Sequence, residues 1–213
     1  MQGEGEWRPP PRFVHASPVP GEVARYLERL PEGLESYPRH LVKSSLLRGM
    51  LAECPSGGDL ELLPPALAQI VAEPPPPSAW IPEVCFVAAH FAMQDLHVID
   101  ADDMLERTYR ANAKLTGSRM YRALARVASP GLLLRGAATS WGLIHRGVSL
   151  RVSARDGEAE LTLRHPPHLY PELAHRSAAL GFRAVVEAAN GKGVTAEVSS
   201  SGPESASVRV RWR

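Results

Sequence analysis

The spacing of apolar residues changes once along the chain, close to residue 147. Before this point apolar side chains recur every three or four positions, as they do on one face of an α-helix. After it they alternate with polar residues, as Val148, Leu150 and Val152 do, and this is the period of a half-buried β-strand. The change predicts a helical N-terminal part followed by a small sheet.

The C-terminal part predicts two hairpins separated by a helix. The alternating runs are residues 148–152, 159–163, 194–198 and 206–212. Asp156-Gly157 joins the first two runs, and Asp-Gly is a strong turn signal between strands. Residues 170–190 have helical spacing and end at Gly191, which suits a helix C-terminus. We therefore expect a ββαββ antiparallel unit over residues 147–213, with its helix on one face of the sheet and the N-terminal helical layer on the other.

Residues 21–146 predict a helical subdomain interrupted by prolines. The expected helices cover residues 21–30, 37–54, 60–73, 80–97, 102–128 and 131–145. The segment 80–97 is apolar nearly all round, which is typical of a helix buried at the centre of a layer. Residues 1–20 are rich in proline and lack apolar periodicity, so we expect an extended tail there. The prediction is a single α+β globular unit, a helical layer packed on the ββαββ unit.

Composition excludes several classes of function. A net charge of +1 provides no overall field for binding nucleic acid or an anionic membrane. Cys54 and Cys85 are too few for a disulfide framework, so a reducing compartment is expected. The N-terminus lacks the apolar stretch of a secretory signal, and the longest apolar run, 84–93, is too short to span a bilayer. We expect a cytoplasmic protein with no membrane span and no nucleic-acid partner.

Short motifs of Trp, Pro and Gly add a resemblance to a known family. They are Ser78-Ala-Trp80-Ile-Pro82-Glu83, Ser129-Pro-Gly-Leu-Leu-Leu134, Trp141, Gly181, Glu187-Ala-Ala-Asn-Gly191 and Val208-Arg-Val-Arg-Trp212. From Leu41 to Trp212 their order resembles a myxobacterial family of paralogous proteins, a domain of unknown function. That family is distantly similar to haem nitric-oxide-binding domains, 4-vinyl-reductase domains and vesicle-tethering subunits. The resemblance implies helices before a small α/β unit, with a ligand or lipid held between the two layers in several relatives.

One histidine in the apolar helix marks a candidate ligand site. His90 lies among apolar residues, where an imidazole must find a partner or lose its hydration. It is either a pocket anchor, including a haem axial ligand, or a core histidine bonded to a carbonyl or carboxylate. The candidate ligand-binding residues are His90, Phe86, Met93 and Trp141. His97 is two helical turns away, too far from His90 to share a metal ion.

Other candidate groups lack the surroundings that catalysis needs. Histidines 165, 168 and 175 cluster, yet no cysteine or well-placed carboxylate completes a metal site, so we expect a solvated loop. Ser140 lacks the glycine-flanked turn of a serine hydrolase. Six arginines form a stripe that is a solvated face or, alternatively, a surface for an acidic partner or anion: Arg107, Arg110, Arg119, Arg122, Arg126 and Arg135. We expect no catalytic residue and no bound metal.

Three functional hypotheses follow. The favoured one is a non-enzymatic regulatory or protein-interaction module that contacts another protein or a second copy of itself, with room for a small apolar ligand between its layers. The second is a haem or lipid sensor with His90 at the pocket. The third is an enzyme that uses the cluster of histidines 165, 168 and 175. A cavity of roughly 300 Å³ or more behind the 80–97 helix favours the sensor, and a filled interior favours the interaction module.

Overall fold

The structure is a computed structural model that describes residues 21–55, 57–117 and 128–213. Its α-helices are α1 Gly21–Leu27, α2 Ser44–Leu51, α3 Pro65–Ala72, α4 Glu83–His97, α5 Ala101–Thr116, α6 Pro130–Ser140 and α7 Glu172–Ala188. Its strands are β1 Leu41–Lys43, β2 Trp80–Pro82, β3 His145–Arg146, β4 Ser149–Arg155, β5 Glu158–Arg164, β6 Thr195–Ser201 and β7 Ser205–Arg211. Short 3-10 turns cover Gly33–Glu35, Leu60–Leu62 and Trp141–Leu143. The predicted α+β class is confirmed.

Helix ends follow the local signals of the sequence. The Asp100 carboxylate accepts a hydrogen bond of 2.8 Å from the Asp103 amide and so caps the N-terminus of α5. Ser129 caps α6 in the same way, and Pro130 occupies the first turn. Helix α4 ends where Val98 adopts a left-handed conformation. The residues expected to continue the helix after Gly117, up to residue 127, lie outside the described part of the chain.

A small antiparallel sheet lies inside the N-terminal part, with the strand order β2-β1-β3. The helix predicted over 37–54 is therefore wrong in its first turns, since α2 begins at Ser44 and residues 41–43 are a strand. Strands of two or three residues are too short to show an alternating pattern. The sheet places the start of α4 beside residues 145–146, because β1 pairs with both β2 and β3.

The main sheet is antiparallel with the order β4-β5-β7-β6, as the two predicted hairpins require. Its apolar face is buried and includes Leu161, Leu163 and Val208. Helices α6 and α7 contact each other, and both pack on this sheet. Since α7 crosses between the two hairpins, it holds them together and covers their apolar side chains.

The second face of the main sheet corrects one expectation. Its side chains form ion pairs such as Arg209–Glu160 at 3.4 Å and Arg211–Glu158 at 3.1 Å. We expected the helical layer to pack on this face, and that was wrong. Charged residues at alternate positions would lose their hydration under a helical layer, so α6 and α7 cover the apolar face, and α5 packs on α7.

The Asp95 carboxylate of α4 bonds the N-terminus of α1, and the two helices also pack through Tyr26 and Phe91. Asp95 accepts hydrogen bonds from the amides of Glu22 and Val23, at 2.9 and 3.0 Å, and caps α1. Gly21 has φ +50°, and a Cβ there would lie 2.5 Å from the Asp95 carboxylate, so glycine is required by conformation and by space. None of the described helices combines the length and apolar character that crossing a bilayer demands.

Candidate functional site

A cavity of about 190 Å³ lies between the helical layer and the main sheet. Helices α4, α5, α6 and α7 line it, and strand β5 closes one side. Its apolar lining includes Phe86, Leu163, Ala178 and Phe182. The amphipathic helices leave this space because small side chains, such as Ala178 and Gly181, line it on α7, which packs against α5.

His90 lies on the cavity wall with one nitrogen bonded and one free. Its Nδ1 lies 3.0 Å from the Phe86 carbonyl oxygen, which can only accept, so Nδ1 carries the hydrogen. The Nε2 atom is then an acceptor, and it is buried with no hydrogen-bond partner among the described residues. Burial lowers the pKa of His90 below its ordinary value, which keeps the imidazole neutral at pH 7. His90 therefore presents a lone pair in an apolar interior.

Two further side chains on the cavity wall have buried polar atoms without a partner in the described structure. They are Trp141, through Nε1, and Ser177, through Oγ. Other polar side chains of the same wall are bonded within the protein: Thr108 Oγ1 donates to the Met104 carbonyl, and Asn112 Nδ2 donates to the Thr108 carbonyl. On the cavity wall, the buried polar atoms without a hydrogen-bond partner in the described structure therefore belong to His90, Trp141 and Ser177.

A buried carboxylate lies at one end of the cavity. The Tyr170 hydroxyl donates to Glu83 Oε1 at 2.6 Å, and His145 Nδ1 lies 3.2 Å from Glu83 Oε2. The ring of Trp141 stacks on His145 with 4.1 Å between ring centroids. Burial and the nearby Glu83 carboxylate raise the pKa of Tyr170 well above its ordinary value. Sequence reasoning missed this group, because residues 83, 145 and 170 share no local pattern and meet only through the fold.

His165 and His175 form a second buried site, separate from the cavity. His165 Nδ1 donates to the Pro166 carbonyl at 2.9 Å, so His165 Nε2 accepts from His175 Nε2 at 3.0 Å. His175 Nδ1 accepts from the Ser201 hydroxyl at 2.9 Å. The expected solvated loop is therefore wrong for both histidines, and it holds for the exposed His168. The described residues contain no group of three metal-ligating side chains.

The structure brings three of the four candidate ligand-binding residues together. Phe86, His90 and Trp141 line the cavity. Met93 is buried in the core but does not line this cavity. Ser177 was missed, since a serine on an amphipathic helix gives no signal in the sequence.

The predicted arginine stripe is partly bonded within the chain. Arg107 donates to the Glu53 carbonyl at 2.7 Å, Arg110 pairs with Glu106 at 2.6 Å, and Arg135 donates to the Ala154 carbonyl at 3.2 Å. The remaining members of the stripe, Arg119, Arg122 and Arg126, lie outside the described residues.

Comparison with solved structures shows a likeness to H-NOX domains. The fold is similar to that of a mutant H-NOX protein from K. algicida in the unliganded Fe(II) state, with a TM-score of 0.53, 9% identity, and coverage of 80% of this chain and 96% of that one. It is also similar to an H-NOX structure from work on haem distortion in that family, with a TM-score of 0.54, 7% identity, and coverage of 80% and 95%. No family model and no curated protein sequence matches the chain. At these identities the likeness concerns the fold alone.

Proposed function

We propose that this chain is a non-enzymatic sensor module that binds a small, largely apolar ligand in the cavity between its layers, with His90 as the polar contact. The observation that carries the proposal is the buried Nε2 lone pair of His90 on the cavity wall, without a partner in the described structure. Its regulatory output would be contact with another protein or with a second copy of the chain. Membership of the myxobacterial family stays a prediction.

The energetic argument concerns unbonded polar atoms. Leaving a buried donor or acceptor without a partner costs roughly 1–3 kcal/mol, so folded proteins bond nearly all of them. Of the eight such atoms among the described residues, three belong to side chains that line one cavity, on His90, Trp141 and Ser177. A ligand that supplies the missing bonds recovers this free energy on binding, and this favours a binding site over a packing defect.

Haem is the ligand named for one of the similar H-NOX structures, so its fit to this cavity matters. The donor fits, because His90 is neutral and its Nδ1–H is held by a carbonyl, as in histidines that ligate metals. The space does not fit: the cavity of about 190 Å³ is below the roughly 300 Å³ at which pockets for drug-sized ligands begin. We therefore propose a ligand smaller than a tetrapyrrole.

Toluene, an apolar molecule of suitable size, tests the binding function. Titrated into the full chain and followed by calorimetry, it should bind saturably with a Kd on the order of 0.1–1 mM. The variant Gly181→Leu puts a side chain into the cavity wall and should abolish this binding. Gly136→Leu is the matched control, because space around that position of α6 is open, and it should bind toluene as the wild type does. Absence of saturable binding to the wild-type chain would contradict the proposal.

An absorption spectrum distinguishes haem from a smaller ligand. After mixing the full chain with haem, we expect no Soret band of a histidine-ligated complex. A stoichiometric band in the wild type that is lost in His90→Ala would contradict this proposal. It would show that haem is the ligand and that the cavity widens to admit it.

A further inference from the structure

An open groove lies on the outside of the molecule, beside the edge of strand β6. Its walls are residues 102–109 of α5 and 196–198 of β6, and residues 172–183 of α7, which packs against both elements, form its floor. We call it the β6 groove. Its volume of about 580 Å³ lies within the range of binding pockets. It shares no lining residue with the cavity, so it is a separate feature of the molecule.

The β6 groove opens onto the backbone of β6 rather than onto one face of the sheet. The side chain of Glu197 points to one face of the strand and those of Ala196 and Val198 to the other, yet all three residues line the groove. A space that reaches both faces must lie at the edge of the strand. In the order β4-β5-β7-β6, strand β6 pairs only with β7 among the described strands, so its outer main-chain N–H and C=O groups face the groove.

The two edge strands of the main sheet differ in their protection. Helix α6 packs on β4, and its Arg135 donates to the Ala154 carbonyl of that strand at 3.2 Å. Strand β6 contains no lysine and no proline, the residues that commonly keep an edge strand from pairing. A bulge between Val198 and Ser200 ends its regular part. Residues 195–198, beside the groove, are therefore open to pairing with an extended chain.

The side chains of the β6 groove select the composition of such a chain. Leu180 on the floor and Val198 on β6 give it an apolar part. Its charged residues are four carboxylates and two cations: Asp102, Glu106, Glu172, Glu197, Arg176 and Arg183. Both cations are already paired within the chain, Arg176 with Asp102 at 2.6 Å and Arg183 with Glu187 at 2.8 Å. The groove therefore keeps an excess of negative charge, which attracts a basic chain.

We propose that an extended, basic segment of another protein binds in the β6 groove and adds a fifth strand to the main sheet. Its main chain pairs with residues 195–198, and its apolar side chains pack on Leu180 and Val198. Its lysine or arginine side chains, at alternate positions, meet Glu197 on one wall and Glu106 on the other. A second copy of this chain fits less well, because pairing of two β6 edges would bring two acidic grooves together. The contact does not depend on ligand binding in the cavity.

Three peptides test the proposal. The first is an end-blocked peptide of alternating lysine and valine, about eight residues long, which forms a strand with one basic and one apolar face. The second is the same peptide with every main-chain nitrogen methylated, which removes the donors and keeps the charge. The third has glutamate in place of lysine. In calorimetric titrations of the full chain, the first should bind with a Kd on the order of 100 µM and the other two at least tenfold more weakly.

Variants of the two walls locate the contact. Glu197→Lys and Glu106→Lys should each weaken binding of the lysine–valine peptide by about three- to tenfold, because an attractive charge becomes a repulsive one. Glu28→Lys makes the same change of net charge at an exposed position outside the groove and should bind as the wild type does.

Hydrogen exchange followed by NMR shows directly which strand the peptide meets. Saturation with the lysine–valine peptide should slow exchange of the outward-facing amides in residues 195–198 at least tenfold. Exchange of the amides in the other edge strand, Ser149–Arg155, should stay unchanged.

Several outcomes would contradict the proposal. Equal binding of the methylated peptide would show that no main-chain pairing occurs, and equal binding of the glutamate peptide would overturn the basic partner. No saturable binding, or binding without protection of residues 195–198, would remove the β6 groove as the site. An equal loss of affinity in Glu28→Lys would show that the peptide responds only to net charge. A free chain that sediments as a dimer and is dissociated by the peptide would make the occupant a second copy.

Discussion

The His165–His175 pair and His90 are buried to a similar extent, yet their hydrogen bonds differ. In the pair, each imidazole nitrogen has a partner, and the chain of bonds runs from the Ser201 hydroxyl to the Pro166 carbonyl. At His90 one nitrogen is bonded to its own helix and the other has no partner among the described residues. The pair is surrounded by protein partners, whereas His90 borders a cavity.

This difference separates a structural group from a candidate binding group. A closed set of hydrogen bonds has nothing left to offer a ligand, so its removal should affect stability alone. A buried nitrogen lone pair without a hydrogen-bond partner lowers the stability of the fold, and it gains a partner only when a ligand binds. Burial of a histidine is therefore a poor guide to function, and the count of its partners is a better one.

The largest predicted effect is a pH dependence of the free energy of unfolding, caused by the His165–His175 pair. Burial and the neighbouring His165 lower the pKa of His175 to about 4. Since an unfolded histidine has a pKa of about 6.5, the unfolded chain binds more protons between these values, and the free energy of unfolding should fall by up to about 3 kcal/mol as the pH falls from 6.5 to 4. Urea denaturation at pH 7, 5.5 and 4.5 measures it.

Two variants serve as tests of this pH effect. In His175→Leu the free energy of unfolding should fall clearly less on acidification than it does in the wild type. His168→Asn changes an exposed histidine whose φ of 60° asparagine tolerates, and it should keep the wild-type dependence. Equal slopes in the wild type and in His175→Leu would show that the pair does not govern the acid response.

The same substitution should lower the free energy of unfolding at His175 and should not lower it at His90. His175→Leu leaves the buried His165 Nε2 without its donor and should lower the free energy of unfolding by about 2 kcal/mol at pH 7. His90→Leu removes an unpartnered atom and should leave stability unchanged or raise it by up to about 1 kcal/mol. Chemical denaturation of both variants measures the difference. A similar loss in each would remove the distinction between the two sites.

The carboxylate group at the cavity end predicts a smaller loss. Tyr170→Phe deletes the donor to Glu83 Oε1 in a buried setting and should cost about 1–2 kcal/mol of unfolding free energy. Tyr37→Phe is the control, because its hydroxyl donates to the Pro167 carbonyl in an exposed position and should cost less than about 0.5 kcal/mol. Equal losses would indicate that the Glu83 group is reached by solvent.

Two glycine-to-alanine substitutions, which have the smallest expected effect on stability, distinguish the influence of cavity volume from that of helix propensity. Gly181→Ala and Gly136→Ala each replace a glycine inside a helix and should raise the free energy of unfolding by about 0.5–1 kcal/mol. A Cβ at position 181 makes an ordinary contact of 3.6 Å with Asn112, so no strain is expected. Only Gly181→Ala should weaken binding of toluene, as calorimetry would show. Weaker binding in Gly136→Ala would place the ligand elsewhere.

The sequence predicted the main sheet because each of its strands is seven residues long, enough for several alternations of apolar and polar residues. It could not predict β1 and β2, which have three residues each. The polar face of the sheet was visible in Glu158, Glu160 and Arg209, but alternation alone does not say where a helical layer packs.

The candidate site was predictable only where one residue contrasts with its neighbours. His90 stands out because an imidazole interrupts an apolar run. Ser177 is ordinary on an amphipathic helix, and the meeting of Glu83 with Tyr170 joins residues that are 87 positions apart. Contacts of that kind depend on tertiary packing, which a single sequence does not display.

The bond between Glu83 and Tyr170 has a mechanical consequence. Glu83 begins α4 of the helical layer, and Tyr170 precedes α7, which is packed on the main sheet, so this contact fastens the two layers at one end of the cavity. Tyr109 bonded to Glu187 and Arg176 bonded to Asp102 join α5 to α7 as well, so the two layers are held together at several points and the cavity lies between fixed walls.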